Sequence, residues 1–499
     1  MPQIKSLLSP QRFYIQSLID EFRAVILNIL YLTWEDPEVL EDWIDVMEDH
    51  RLSLYEIIAS IPDEFTNEIS SRTISYIDDI LEEQRQNNLM SRLSITHQSF
   101  LGLLLLRATI MPNTEVIDLT KLKSEYVIKF SVHCLLYYSN VTVLKVPSIL
   151  DDLTLNGIVK ERVENIMNLI HFEFKEACED DLIEELSKHC PNLKKLVVKS
   201  STKVTDSSVE FLLKMKNLSE LNVSSTSITT GGYRSILEGS KGILNICWHL
   251  PDIETVLADI NGDTLMNKEV FCGYLTSFVN LVEKCPNIKK VFLYNAMATN
   301  LAPSSNLNNL EVLDIKNLMF LLSSTDTALQ NIGKNLKTLK LKNVENLDFR
   351  ILVTHCICLQ DLSLIRNNFV EEEFQVTAEM THFDNLLRLD LQNNTSDKCY
   401  SDLVQDYKSL KCLNADGIIG FNDEYFINAL TSGKLKDLEL FVVQNCGDLG
   451  VTTAQLLIQN CPLLRVLGRL REWRSMNEDD IRSIANHIAE QNYDLEILY

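Results

Sequence analysis

Along most of the chain, apolar residues recur in the order apolar-x-x-apolar-x-apolar. Leu193-Lys-Lys-Leu196-Val-Val198 shows the pattern, and Ile288-Lys-Lys-Val291-Phe-Leu293 repeats it. The two-residue step at its end predicts a short strand whose alternate side chains enter one core. Three copies are announced by a cysteine and a proline: Cys190-Pro-Asn-Leu193, Cys285-Pro-Asn-Ile288 and Cys461-Pro-Leu-Leu464. The first apolar positions fall at Thr114, Val141, Met167, Leu193, Leu218, Ile243, Ile288, Leu310, Leu336, Leu359, Leu386, Leu410, Leu435, Leu464 and Leu495. This predicts fifteen strands at a mean spacing of about 27 residues, a period that leaves room for one strand and one helix per repeat.

Each strand is followed by a polar turn and a helix-like segment. In Val204-Thr-Asp-Ser-Ser-Val-Glu-Phe-Leu-Leu-Lys214, Thr205 or Asp206 is placed to cap the helix. Right-handed crossovers of this kind stack parallel strands on an inner wall and helices on an outer one, predicting an α/β solenoid over residues 112–499. One interval is anomalous: Ile243 to Ile288 spans 45 residues. An insertion near residues 251–270, followed by a helix from Val270 to Cys285, is expected there, and insertions in solenoids often emerge as ligand-contacting loops.

Residues 1–110 lack the strand motif. Tyr14, Leu18, Phe22, Val25 and Ile29 recur at helical spacing, as do Trp43, Val46 and Met47. A separate N-terminal helical domain is expected, joined to the repeats near residues 108–116. The most apolar window, Phe100 to Ile110, contains Gly102 and Arg107 and is about half the length needed to cross a bilayer, which suits a core helix.

The chain has 499 residues, of which 46 are basic and 70 acidic, for a net charge of −24. That charge disfavours nucleic acid and anionic membrane as partners. Its twelve cysteines lie mostly at repeat boundaries, which suits reduced, buried thiols in the cytoplasm or nucleus. No secretory signal is visible at Met1-Pro-Gln-Ile-Lys5. Gly-rich phosphate loops, H-E-x-x-H and G-x-S-x-G are absent, so no enzymatic activity and no cofactor are expected. His355-Cys-Ile-Cys358 lacks a second ligand pair at zinc spacing, and no metal is expected.

The residues between the apolar positions should face the concave wall. They are Lys195, Val197 and Lys199 in one strand, Lys290, Phe292 and Tyr294 in another, and Thr338, Lys340 and Lys342 in a third, with Lys316 between the last two. Further on they become Asp390, Asp416, Asp437 and Glu439. A basic, aromatic stripe made of Lys195, Lys290, Phe292, Tyr294, Lys340 and Lys342 is therefore the candidate surface for a protein partner, with an acidic segment as the natural ligand.

The Cys-Pro-Asn-Leu junctions and Thr205-Asp-Ser-Ser-Val209 resemble the cysteine-containing, ribonuclease-inhibitor-like leucine-rich repeats. The layout of helical region and repeats is similar to F-box/leucine-rich-repeat proteins. That resemblance implies a substrate receptor of a cullin-type ubiquitin ligase. Ile61-Pro-Asp-Glu-Phe65 and Ile74-Ser-Tyr-Ile77 resemble F-box elements, with several extra residues between them. Ser53-Leu-Tyr-Glu-Ile-Ile-Ala59 resembles an elongin-binding helix in which Ile58 replaces the usual cysteine. The resemblance implies Leu54, Ile58, Ile61, Pro62 and Phe65 as contacts for Skp1 or for an elongin and its cullin. The other reading open at this point is a ribonuclease-inhibitor-like scaffold or inhibitor with no ligase link.

Overall fold

The computed structural model describes residues 66–86 and 113–498, apart from 139, 150–153, 249–252, 321, 371–382, 384, 396–408, 419, 492 and 494. The chain divides into two compact units between Leu244 and Asn245. The first contains the helix Thr66–Gln86 and a five-stranded sheet: β1 (Val116–Asp118), β2 (Val143–Val146), β3 (His171–Phe174), β4 (Lys195–Val197) and β5 (Glu220–Asn222). The second contains an eleven-stranded sheet: β6 (Asn245–Trp248), β7 (Val270–Gly273), β8 (Lys290–Leu293), β9 (Val312–Met319), β10 (Thr338–Glu345), β11 (Asp361–Ile365), β12 (Arg388–Gln392), β13 (Cys412–Asp416), β14 (Leu440–Gln444), β15 (Val466–Gly468) and β16 (Glu496–Leu498). Every neighbouring pair within each sheet is parallel.

If the first residue of the apolar motif is position 1, positions 1, 4 and 6 enter the core. Leu193, Leu196 and Val198 are buried, as are Leu336, Leu339 and Leu341 six repeats later. Among the described residues, position 8 is left-handed in nine repeats, at Glu176, Ser200, Ser225, Asn317, Asn343, Arg366, Asn393, Gly417 and Asn445. Asn and Gly occupy five of these because they tolerate positive φ best. Asn343 Nδ2 donates to Asn317 Oδ1 (2.9 Å), and Asn445 Nδ2 donates to Asp416 Oδ1 (3.0 Å), so this turn also links repeats sideways.

Four expectations about register change. The 45-residue interval holds a complete repeat rather than an insertion: short helices at Ile253–Asp259 and Gly262–Leu265 lead into β7, which pairs in register with β6 and β8. Residues 270–273 are accordingly strand, where a helix was expected. The repeat escaped the apolar pattern because its position 1 is Lys268, a lysine with no exposed surface. In the third repeat position 1 is Leu169, fully buried, and Met167 is 59% exposed. In the fourteenth strand the motif starts at Leu438; Leu435 is buried in the preceding turn at φ 60°. Finally, β16 pairs Ile497 with Leu467, which leaves Leu495 one residue ahead of the strand.

Two further devices join the repeats. Carboxylates in the first turn of one helix accept from the cap or first turn of the next: Asp180 from Thr205 N (2.8 Å) and Oγ1 (2.6 Å), Asp206 from Thr229 N (2.8 Å) and Oγ1 (2.7 Å), and Asp423 from Gly450 N (2.9 Å) and Thr453 Oγ1 (2.6 Å). Thr205 is itself the cap, accepting from Ser207 N at 3.2 Å. These acids satisfy orphan helix donors and sit where the helix dipole favours negative charge. At the helix-to-strand junction, Cys190 Sγ donates to Ile166 O (3.8 Å) and Cys461 Sγ to Leu435 O (3.3 Å). Burial pushes the thiols of Cys190, Cys285 and Cys356 up to about 12, which keeps them protonated and unreactive at neutral pH.

The helix Thr66–Gln86 is tied to the start of the first sheet. Asn67 Oδ1 accepts from Glu115 N (2.9 Å) and Val116 N (3.1 Å), and Asp78 accepts from Lys123 N and Ser124 N (both 2.8 Å), the latter at the start of the helix Glu125–His133. Backbone donors near the edge strand β1 are thereby satisfied by side chains rather than left open for pairing.

Candidate functional site

Positions 3, 5 and 7 of each repeat leave the sheet on the side away from the core. In the eleven-stranded sheet, β8, β9 and β10 place them in a compact grid set by strand register. Phe292, Asp314 and Lys340 form one row, and Lys290, Val312 and Thr338 another. Lys316 and Lys342 are aligned in the row that follows, beside Tyr294 at the end of β8. Five of the six expected partner-binding residues, Lys290, Phe292, Tyr294, Lys340 and Lys342, are thus brought together. The sixth, Lys195, lies on β4 in the other unit, where it is paired with Glu220 at 2.7 Å.

Pairing separates the two kinds of lysine. At position 2, beside the strands, three lysines meet a carboxylate of the adjacent repeat: Lys289 with Glu269 (2.7 Å), Lys337 with Glu311 (2.9 Å) and Lys411 with Glu439 (2.9 Å). On the open face, Lys290, Lys340 and Lys342 have no carboxylate in salt-bridge range among the described residues. The acids of the same face are internally satisfied instead. Asp390 accepts from Gln392 (2.8 Å), Asn414 (3.0 Å) and Ser363 (3.1 Å), and Asp416 accepts from Asn393 and Asn445 (both 3.0 Å). The face therefore presents an excess of positive charge at β8–β10, where Lys290, Lys316, Lys340 and Lys342 stand against Asp314, and hydrogen-bonded negative charge at β12–β13.

Tyr294 anchors the basic part. Lys316 Nζ stands 5.1 Å from the centre of its ring, a cation–π arrangement, and its hydroxyl is 2.9 Å from Cys272 Sγ on the neighbouring strand. Burial, reinforced by that thiol, pushes the phenol well above its usual range, so Tyr294 is a neutral hydrogen-bonding aromatic. Asp314 sits within the grid. Burial raises its carboxyl above the usual range despite the opposing pull of Lys316, Lys340 and Lys342. A partner that desolvates this patch further acts in the same direction.

Parallel strands, one per repeat, with buried positions 1, 4 and 6 and a helix returning most of them, define the architecture of both units. This is a leucine-rich-repeat fold. No family model matches the chain, and no curated protein matches its sequence. Among solved structures it is similar to the TLR13–ssRNA13 complex, at 15% identity and a TM-score of 0.33, covering 71% of this chain and 48% of that one. It is also similar to the Drosophila Toll–Spatzle complex, at 17% identity and 0.33, covering 68% and 48%. A third likeness is to the yeast Rad7 and Elc1 complex, at 12% identity and 0.39, covering 91% and 95%. The chain spans about half the length of the first two.

Asp437 and Glu439, expected on the open face, precede β14; Leu440, Val442 and Gln444 take the outward positions, because the motif starts at Leu438. Leu54, Ile58, Ile61, Pro62 and Phe65, and the helical periodicity before residue 66, lie outside the described residues. Of the second F-box-like element, Ile77 is fully buried and Ile74 is 8% exposed, so neither side chain is presented at the surface. Cys356 is buried and Cys358 exposed. Among the described residues, no cluster of three or more His, Cys, Asp or Glu is placed to hold a metal ion, and no helix is long and apolar enough to cross a membrane.

The outward residues of β7, Cys272 and the adjoining Tyr274, were missed with their repeat. A signal for it exists. Asparagine directly precedes position 1 at Asn113, Asn140, Asn168, Asn192, Asn217, Asn267, Asn287, Asn309, Asn335 and Asn385. Asn217, Asn287 and Asn335 donate to the carbonyls of Pro191, Met266 and Asn308 in the preceding repeat (2.8, 2.8 and 2.9 Å). Asn267-Lys268 follows the same grammar with the apolar residue replaced.

Proposed function

We propose that this chain is a non-catalytic protein-binding module of the cytoplasm or nucleus, and that the open face of β8–β10 receives an acidic segment of its partner. The observation that supports the reading is the set of unpaired lysines, Lys290, Lys340 and Lys342, grouped around Phe292 and Tyr294 on a chain of net charge −24, where Lys289, Lys337 and Lys411 beside the strands are paired with carboxylates. Exposed aromatic area supplies short-range affinity, and unpaired charge selects and steers the ligand. Within this reading the N-terminal region, through Leu54, Ile58, Ile61, Pro62 and Phe65, docks Skp1 or an elongin. The chain then serves as the substrate receptor of a cullin-type ubiquitin ligase.

Affinity capture from cell extract with the full chain, compared with a folded Lys290→Glu, Lys340→Glu double variant, tests both parts. The double variant should weaken capture of the substrate about tenfold, or about 1.4 kcal/mol, and reduce its salt dependence. The adaptor should be recovered equally by both. Substrate capture without any adaptor or cullin would remove the ligase link and leave a scaffold or inhibitor. Unchanged capture by the double variant would remove the open face.

A further inference from the structure

Two strands bring a pair of cysteines onto the open face beside Tyr294. Cys247 on β6 and Cys272 on β7 are direct partners in the parallel ladder, and both occupy position 5. Their side chains therefore leave the same side of the sheet, one strand apart. Neighbouring strands are about 4.8 Å apart, and disulfides join Cα atoms about 4.4–6.8 Å apart, so the backbone already holds the two residues within bridging range. Side chains that leave adjacent strands in parallel must lean together to bond, which strains the link and makes it easily reduced. Cys272 is half-exposed and Cys247 buried, an arrangement in which one thiol meets the solvent and the other waits behind it.

We infer that Cys247 and Cys272 form an oxidisable dithiol whose reversible disulfide reshapes the aromatic end of the open face. With hydrogen peroxide as oxidant, the Cys272 sulfur, as thiolate, attacks one peroxide oxygen and expels hydroxide, becoming a sulfenic acid. The Cys247 sulfur gives up its proton and attacks the Cys272 sulfur, and the sulfenic oxygen leaves as water. Together two thiols lose two electrons and two protons, and one peroxide becomes two waters. Bond formation turns Cys272 Sγ towards β6 and removes its hydrogen from the 2.9 Å contact with the Tyr294 hydroxyl. Tyr294 also carries the Lys316 contact, so its ring and the adjoining ammonium are the groups that shift. The dithiol stands on the sheet register alone; only its effect on binding rests on the open face being the binding surface.

The test is peroxide treatment of the full chain, quenching with an alkylating agent, and peptide mapping without reduction. A linked peptide joining Cys247 to Cys272, lost on adding dithiothreitol and lost in Cys272→Ser, is the expected result. Cys358, exposed and without such a neighbour in register, serves as the accessibility control. Oxidation of Cys272 and Cys358 with no Cys247–Cys272 link would overturn the inference. So would the same link appearing in chemically unfolded protein at equal yield. If the link forms and capture of the partner is lost and then restored by reductant, the switch acts on binding. If it forms and capture is unchanged, the dithiol stands and the open-face reading fails.

Discussion

Replacing Lys268 with methionine is expected to raise the stability of the chain by about 2 kcal/mol at pH 7. Lys268 occupies position 1, where neighbouring repeats place Ile243 and Ile288, and it has no exposed surface. Burial depresses its ammonium from the ordinary 10.5 to about 8, with the Cys285 thiol opposing the shift only in part. A depression of that size corresponds to about 3 kcal/mol of penalty on the charged form. Methionine fills a similar volume without a charge, and some of the gain is offset by the polar contact that Lys268 gives up. The sign of the pH dependence follows. Between about 8 and 10.5 the unfolded chain holds a proton on this amine that the folded chain has released, so the penalty fades as pH rises through that window. The buried thiols act in the opposite sense above their ordinary value of 9.0, because their folded pKa values are raised. Denaturant unfolding of wild type and Lys268→Met at pH 7 and pH 9.5 separates the two effects, since most of the thiol contribution cancels in the difference. The gap should be largest at pH 7 and smaller at pH 9.5. A gap that widens with pH, or a destabilised variant, would contradict this account of Lys268.

The largest loss is expected from Leu339→Asp. Leu339 is fully buried in β10, between Leu313 on β9 and Leu362 on β11, and makes up part of a core shared by successive repeats. An unpaired carboxylate there costs more than about 4 kcal/mol, beyond the margin of many folded units. Because each repeat is stabilised by its neighbours, the loss should spread along the eleven-stranded unit rather than stay within one strand. Lys340→Asp, one residue on, should change stability by only about 0.5 kcal/mol, since position 5 faces outward. Melting temperature and far-ultraviolet circular dichroism of the two variants read both effects. Similar losses from the two would mean that the strand register is wrong.

How far the fold could be read from the sequence depended on which residue carried each signal. Where leucine, isoleucine or valine filled positions 1, 4 and 6, as at Leu193 and Leu336, apolar spacing alone located the strand. It failed at Lys268, because a charged residue in the core contradicts the pattern by which cores are recognised. It slipped at Leu435, because Leu435-x-x-Leu438 imitates the first half of the motif; Asn445, left-handed at position 8, marks Leu438 as the true start. At Met167 the asparagine rule points to Asn168-Leu169. These corrections come from polar residues whose task is conformational or lateral, and a hydrophobic pattern does not register them.

The candidate site was legible in part for the same reason. Alternation exposes Lys290, Phe292, Tyr294, Lys340 and Lys342 once the register is known. Whether a lysine is neutralised depends on residues one repeat away. Lys195 meets Glu220 and Lys337 meets Glu311, whereas Lys340 meets no such partner among the described residues. That contrast, and the position of Cys272 against Tyr294, needed the strand ladder.

The most direct measurement of the central claim is site-specific photo-crosslinking from the open face in cell extract. A photoreactive amino acid is placed at Phe292, at Lys340 and, on the acidic part of the same sheet, at Asn414. If β8–β10 is the binding surface, Phe292 and Lys340 should crosslink the same protein, abolished by excess acidic competitor peptide, while Asn414 should give little. Crosslinks from Asn414 alone, or from none of the three in a chain that still captures its partner, would contradict the claim.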